Sequence, residues 1–212
     1  MRILFSSDLH GHIGAYKRFS ELLSEEQFDL GILGGDLMSY SQDKEETERT
    51  IKEILHRART RILFIMGNDD GILDYDWDDT ELLNNCNMKR LPIGNHTFLG
   101  YQYTNPFVGG PFEKTEQLQR EDLPILKGLI ESSTVLVSHG PAFGTLDVTF
   151  SGDHVGSRAL RTLVEESNPL FHLFGHIHHS AGIQGRSING AYPDLGKFVS
   201  LDLDTETSVL VV

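Results

Sequence analysis

Five short apolar runs punctuate the chain: "RILF" at 2–5, "LGIL" at 30–33, "RILFIM" at 61–66, "TVLV" at 134–137 and "LFHLF" at 170–174. Runs of this length, rich in β-branched residues and without alternation, predict strands buried on both faces. Between the first three the period becomes helical. Ile13, Tyr16, Phe19 and Leu23 share one face, and over 43–57 the pairs Glu45–Arg49 and Glu48–Lys52 lie opposite Ile51, Ile54 and Leu55. The order β-α-β-α-β predicts a parallel core. Further helices are expected over 113–130 and 157–166, the second with Ser157 as N-cap and Ala159, Leu160, Leu163 and Val164 facing inward. The last stretch, "KFVSLDLDTETSVLVV", alternates apolar and polar residues on both sides of a polar turn and predicts an antiparallel hairpin. A strand pair near 88–102 carries a weaker signal. The Pro and Gly content of "YTNPFVGGPF" (103–112) reads as loop, a surface loop in preference to a lid. With no repeat, low-complexity segment or linker, one α/β domain over 1–212 is expected.

Each buried run is followed at once by residues able to bind metal: "SSDLHGH" (6–12), "GGDL" (34–37), "GNDD" (67–70), "SHG" (138–140) and "GHIHHS" (175–180). In an open parallel sheet the carboxyl ends of the strands form one edge, where ligands bind. Asp8, His10, Asp36, Asn68, His139, His176 and His178 are therefore expected around one point. Seven N and O donors are too many for one tetrahedral zinc and suit two divalent ions sharing a carboxylate. Asp8 with His10, and His176 with His178, are two residues apart, so an extended segment would aim both members of each pair the same way. His12, His154 and His179 stay open between contact near the site and plain exposure. His56, His96 and His172 read as structural, and Asp70 as a residue that shapes the turn after Asn68.

Composition narrows the partners. A balance of 18 Lys+Arg against 31 Asp+Glu gives a formal charge of -13, which disfavours nucleic acid and anionic membranes. Aspartates that ligate cations would still leave a locally positive site on this acidic body. The short run "ILF" before Asp8 is too brief for a signal peptide and no run of about 18 apolar residues exists, so a soluble, cytoplasmic protein is expected. Cys86 is the sole cysteine and is assigned no role. Lys114, Arg158 and Arg186 read as surface charge. Trp77 in "DYDWDD" reads as a loop-packing residue in preference to a base-stacking one at the rim.

The series D-x-H, G-D, G-N-x-D, S-H-G and G-H-x-H, in this order over residues 8–178, resembles the calcineurin-like metallophosphoesterase superfamily. The resemblance implies a four-layer α/β/β/α sandwich with mixed sheets, and two divalent metal ions drawn from Mn, Fe, Zn, Ni or Co. It implies that Asp8, His10 and His178 hold one metal, that Asn68, His139 and His176 hold the other, and that Asp36 bridges. Hydrolysis of a small phosphate ester by a metal-bridging hydroxide follows, with Asp36, Asn68, Asp69 and His139 as the catalytic candidates. The stretches "VSHGPAFGTLD" and "VGSRALRTLVEESNPLFHLFGHIHHS" further resemble a small-domain branch that hydrolyses nucleotides or phosphodiesters. Many relatives carry a histidine where this chain has Asp69, and the protein-phosphatase branch has an aspartate where this chain has Ser39. Both departures favour a phosphodiesterase over a protein phosphatase. They leave a non-catalytic binding scaffold on the same fold as the alternative.

Overall fold

The computed structural model describes residues 1–41, 43–75 and 77–211, and each of the five apolar runs forms a strand in it. In chain order the elements are β1 (Arg2–Ser6), α1 (Ile13–Glu25), β2 (Leu30–Leu33), α2 (Lys44–Arg57), β3 (Ile62–Phe64), α3 (Asn68–Ile72), β4 (Leu83–Asn85), β5 (Arg90–Ile93) and β6 (His96–Tyr101). There follow α4 (Glu116–Leu129), β7 (Thr134–Ser138), α5 (Arg158–Ser167), β8 (Phe171–Phe174), β9 (Gly182–Gln184), β10 (Ser187–Asn189), α6 (Tyr192–Leu195), β11 (Phe198–Asp202) and β12 (Thr207–Val211).

The strands make two sheets, ordered β12-β11-β1-β2-β3-β4 and β5-β6-β7-β8-β10-β9. β1, β2, β3 and β4 run parallel, as do β6, β7, β8 and β10, while β11–β12 and β5–β6 are antiparallel hairpins. The strand ends bearing the candidate donors thus come from two sheets, where the sequence pointed to one.

Side-chain alternation along the strands divides the apolar residues into three seams. Leu4, Leu33, Ile62 and Phe64 pack against Tyr16, Phe19, Leu23, Ile51 and Leu55 of α1 and α2. The opposite face of the same strands, with Ile3, Phe5, Ile32 and Leu63, meets Phe98, Val135, Val137, Phe171 and Leu173 of the second sheet. The far face of that sheet, with Leu99 and Leu136, is covered by Leu126, Leu160 and Leu163 of α4 and α5. The layers are therefore α/β/β/α. β2 and β3 carry no polar side chain, because both their faces are buried.

Helix starts follow the side chains able to accept from free N–H groups. Ser157 accepts from the Leu160 N–H at 3.1 Å, and Asp43 from that of Glu46 at 2.9 Å. His12 Nδ1 accepts from the Ala15 N–H at 2.9 Å, so this histidine caps α1. α4 starts later than the sequence pattern suggested. Thr115 is its cap, and Glu113 instead accepts from the N–H groups of Phe107, Val108 and Gly109, building the preceding loop.

Trp77 is buried, with its ring edge-on to Phe64 at 5.7 Å, and so packs its loop; Asp76 beside it lies outside the described residues. Cys86 is buried, and burial pushes its thiol up to about 12. Arg186 pairs with Glu206, Lys114 with Asp122, and the Arg158 guanidinium lies over Phe143, all away from the strand-end donors. No helix among the described residues is long and apolar enough to cross a membrane.

Candidate metal centre

Beyond the strand ends the loops stay knitted together. The Asp8 N–H donates to the Gly35 carbonyl and the His10 N–H to that of Asp36, both at 2.9 Å, while the Gly175 N–H donates to the His139 carbonyl at 3.0 Å. Four candidate donors then leave ordinary backbone geometry: Asp8 (φ 58°), His10 (43°), Asp36 (48°) and His176 (66°) are all left-handed. Such conformations cost of order 1–3 kcal/mol each and persist where the surroundings enforce them. They turn the chain at each strand end and re-aim the side chains inward. The expectation of extended segments is thereby corrected, although Asp8 and His10 still enter one group. His176 and His178 enter different groups, because His176 is left-handed and His178 opens a 3-10 turn over 178–180.

The ligand atoms of Asp8, His10 and His178 lie within 4.8 Å of one another, and so do those of Asp36, His139 and His176. Asn68 joins the second group through its Oδ1, which lies 3.0 Å from His139 Nε2. Asp36 faces both groups, with Oδ1 3.3 Å from His139 Nε2 and Oδ2 3.9 Å from His10 Nε2. The structure thus brings all seven donors together. Their chemistry fits two divalent cations: five nitrogen and amide donors with two carboxylates, in two groups joined by one carboxylate. His10 Nε2 lies 3.4 Å from His178 Nε2, a separation that either a shared proton or a cation would bridge.

Outer contacts orient the donors. His139 Nδ1 donates to the Gly34 carbonyl at 2.9 Å, which commits that nitrogen and turns Nε2 into the site. Asp69 accepts from the Asn68 amide at 2.8 Å and lies 3.6 Å from His10 Nδ1. The buried Asp70 accepts from the N–H groups of Leu37, Met38 and Gly67 at 2.9–3.0 Å, fastening the Asp36 loop to the start of α3. Burial and the nearby Asp36 push Asp70 up to about 7 in spite of these donors.

The same crowding shifts the pKa values of the donors. Burial opposes charge on both Asp8 and Asp36. Yet the His178 hydrogen bond with the His139, His178 and His10 charges holds Asp8 low, and His139 holds Asp36 low. Burial likewise opposes charge on His139, but Asp36 and Asp8 push it up to about 10, whereas burial and His139 lower His176 to about 4. Cations would displace that His139 proton.

Close packing explains the motif glycines. A Cβ on Gly67 would lie 2.2 Å from Asp36 Oδ1, and one on Gly175 would lie 2.0 Å from Asp8 Oδ2. Neither position has room for a side chain.

A cavity of about 340 Å³ opens onto His10, Asp36, Asn68, His176 and His178. Its wall also includes Asp69, Phe107, Thr149, Phe150, Ile177 and His179. Sequence reasoning missed Phe107, Thr149 and Phe150, which sit on irregular loops with no periodic signal. His179 reaches the wall and bonds Asp194 at 2.9 Å, whereas His154 bonds Asp147 at 2.6 Å. A larger concavity, of about 620 Å³, follows α2 alone between charged side chains and gathers no donor cluster.

Residues 1–180 match the family model described as Calcineurin-like phosphoesterase. The Emericella nidulans protein named "Probable rhamnogalacturonate lyase C" is 31% identical over an alignment of 173 residues that covers 73% of this chain and 16% of that protein. UPF0046 protein K07C11.7 of Caenorhabditis elegans is 26% identical over 183 residues, 75% of this chain and 62% of that protein. The chain therefore spans only part of the length of both curated relatives. The crystal structure of TT1561 of Thermus thermophilus shares the fold, with a TM-score of 0.72 at 18% identity, covering 99% of this chain and 97% of that one. With most of its length under one family model and the two-sheet architecture in common, the chain belongs to the calcineurin-like phosphoesterase family.

Proposed function

We propose that the chain is a metal-dependent phosphoesterase acting on small phosphate esters, with aryl or nucleotide-like phosphodiesters ahead of phosphoproteins. The observation that carries this reading is the meeting of seven donors in two groups, with Asp36 facing both. Asp8, His10 and His178 would hold one divalent cation, Asn68, His139 and His176 the other, and Asp36 would face the two. When bound, the pair supplies Lewis acidity toward a phosphoryl oxygen and lowers the pKa of a coordinated water toward neutrality.

The residues set the rest. Asp8 and Asp36 would offset only about half the charge of two dications, leaving about +2 that would draw in a phosphate and offset charge gathering on its oxygens. His139, committed through Nδ1 to Gly34, keeps Nε2 facing inward as a ligand, so it is not free to carry a proton to the leaving group. Asp69 stands where many relatives have a histidine. Burial and Asp36 raise its pKa, but two adjacent dications would reverse that direction and keep the carboxylate ionised. Its Oδ1 already accepts from Asn68. Asp69 is therefore a poor acid, and the site is suited to leaving groups that need little protonation: aryl and nucleotide esters and diesters.

The test is reconstitution of chelated protein with Mn, Fe, Zn, Ni or Co, assayed against bis(p-nitrophenyl) phosphate, p-nitrophenyl phosphate and an alkyl monoester. Metal-restored turnover with the diester fastest is the expected result. Turnover equal in chelated and loaded protein sinks the reading. Asp69→His should speed alkyl esters relative to aryl ones, and an unchanged ratio sinks the missing-acid account.

A further inference from the structure

Phe107 and Phe150 are 70% and 86% exposed, yet both line the cavity that opens onto the metal donors. Each touches an imidazole of the site only edgewise: Phe107 meets His176 at 5.4 Å and 84°, and Phe150 meets His179 at 4.3 Å and 78°. T-shaped contacts of this kind leave ring surface free for another aromatic group. Large apolar side chains left exposed beside a polar pocket mark a place where a ligand covers them.

The loops that present these rings are held. The Glu113 carboxylate accepts from the N–H groups of Phe107, Val108 and Gly109 at 2.7–2.9 Å, so the segment bearing Phe107 wraps one anion. On the other loop, Ser180 Oγ accepts from the Val148 N–H at 3.0 Å and donates to the Val148 carbonyl at 2.8 Å. The Thr149 N–H closes the turn onto Asp153 at 2.9 Å. Ser180 ends the 3-10 turn that begins at His178, so the loop of Phe150 is tied directly to a candidate ligand segment.

The cavity wall also lacks any lysine or arginine among the described residues, on a chain of formal charge -13. The phosphoryl group would therefore be held by the cations, with no side-chain cation in the wall to help.

Resting on the phosphoesterase reading above, we propose that Phe107 and Phe150 form an aromatic subsite that takes the flat ring of a substrate carrying a single phosphoryl group. The ring belongs to an aryl or a nucleobase group.

Calorimetric titration of the metal-loaded chain with phenylphosphonate, methylphosphonate and the phosphonate analogue of adenosine monophosphate tests this. Stacking on an aromatic side chain gives the phenyl compound an expected advantage of about tenfold over the methyl compound. Combined Phe107→Ala and Phe150→Ala should remove the advantage while metal stoichiometry and methylphosphonate affinity hold. Tyrosine at both positions should restore it. An adenosine compound that gains and loses affinity in step with the phenyl compound supports the subsite and assigns it to a nucleobase; a phenyl advantage without an adenosine one supports it and assigns it to an aryl group. A phenyl advantage untouched by the alanine pair, or absent from the unsubstituted chain, overturns the subsite, and metal-restored hydrolysis of bis(p-nitrophenyl) phosphate then shows that the phosphoesterase reading survives. Absence of that hydrolysis together with absence of phosphonate binding overturns both.

Discussion

The Asn68 amide donates to Asp69 Oδ1 at 2.8 Å, and its own Oδ1 lies 3.0 Å from His139 Nε2. A carboxylate only accepts, so Asp69 fixes which end of the Asn68 amide faces the cations. The other Asp69 oxygen lies 3.6 Å from His10 Nδ1, in the opposite ligand group. Asp69 thus orients Asn68 through a hydrogen bond and lies within ion-pair distance of His10 in the other group. Residues in such positions typically contribute 10–100-fold to metal affinity. Asp69→Ala should weaken cation binding by about that factor, read as the dissociation constant in a competitive chelator titration, and Asp69→Asn should fall between. An affinity unchanged in Asp69→Ala would remove this role.

The donors were legible in the sequence because each follows an apolar run that could only be a buried strand. The hairpin over 198–211 was legible for the converse reason, since period-2 alternation has no helical reading. What sequence could not supply was the sheet partition. β2 and β7 are buried throughout, and nothing in Leu30–Leu33 or Thr134–Ser138 says which strands lie beside them. β4, β9 and β10 have three residues each, too few to display a period. The left-handed turns at Asp8, His10, Asp36 and His176 also escaped, because even for aspartate and histidine that region is a minority conformation that residue type alone does not specify. The rim phenylalanines sit in segments ordered by Glu113 and Ser180, contacts fixed only by the fold.

Gly67 gives the sharpest steric test. A Cβ there would come within 2.2 Å of Asp36 Oδ1 and 2.4 Å of the Asp36 backbone nitrogen, neither of which is a flexible tip able to yield. Gly67→Ala must displace the carboxylate that faces both groups. Metal content by elemental analysis is expected to fall below that of the unsubstituted chain, with a stability loss of about 1–3 kcal/mol as for other overpacked sites. Gly109→Ala, where no atom lies within 4 Å, is the control for steric crowding, although its φ of 88° carries a backbone cost of its own.

Removing cations should lower the melting temperature. Asp8 and Asp36 are buried, and without cations their charge is met by the surrounding histidines and by the backbone N–H groups of His176 and Asp69. A cation bound to the folded chain at 100 times its dissociation constant adds about 2.7 kcal/mol. Chelator should therefore lower the melting temperature of the unsubstituted chain and leave Asp36→Ala much less affected. Equal shifts in both would mean that the stabilising cations bind elsewhere.

His172 supplies a pH test away from the ligands. The Ser138 hydroxyl donates to the Gly140 carbonyl at 2.6 Å, so its oxygen accepts from His172 Nε2–H at 2.7 Å. Nδ1 is then left as a bare lone pair, buried and without a partner. Protonating it would bury a charged N–H with nothing to accept it, and burial lowers the imidazole from 6.5 to about 3. The folded chain keeps His172 neutral while the unfolded chain takes up a proton below pH 6.5. The stabilising contribution is therefore complete above the unfolded pKa and declines as pH falls toward 3. From pH 7.5 to pH 5 the decline is about 2 kcal/mol. His172→Gln can still donate to Ser138 but cannot titrate. Urea unfolding of the chelated protein at the two pH values should show a decline about 2 kcal/mol smaller in the variant. The other titrating groups cancel in that double difference, and a difference near zero would mean that His172 finds a partner for its proton.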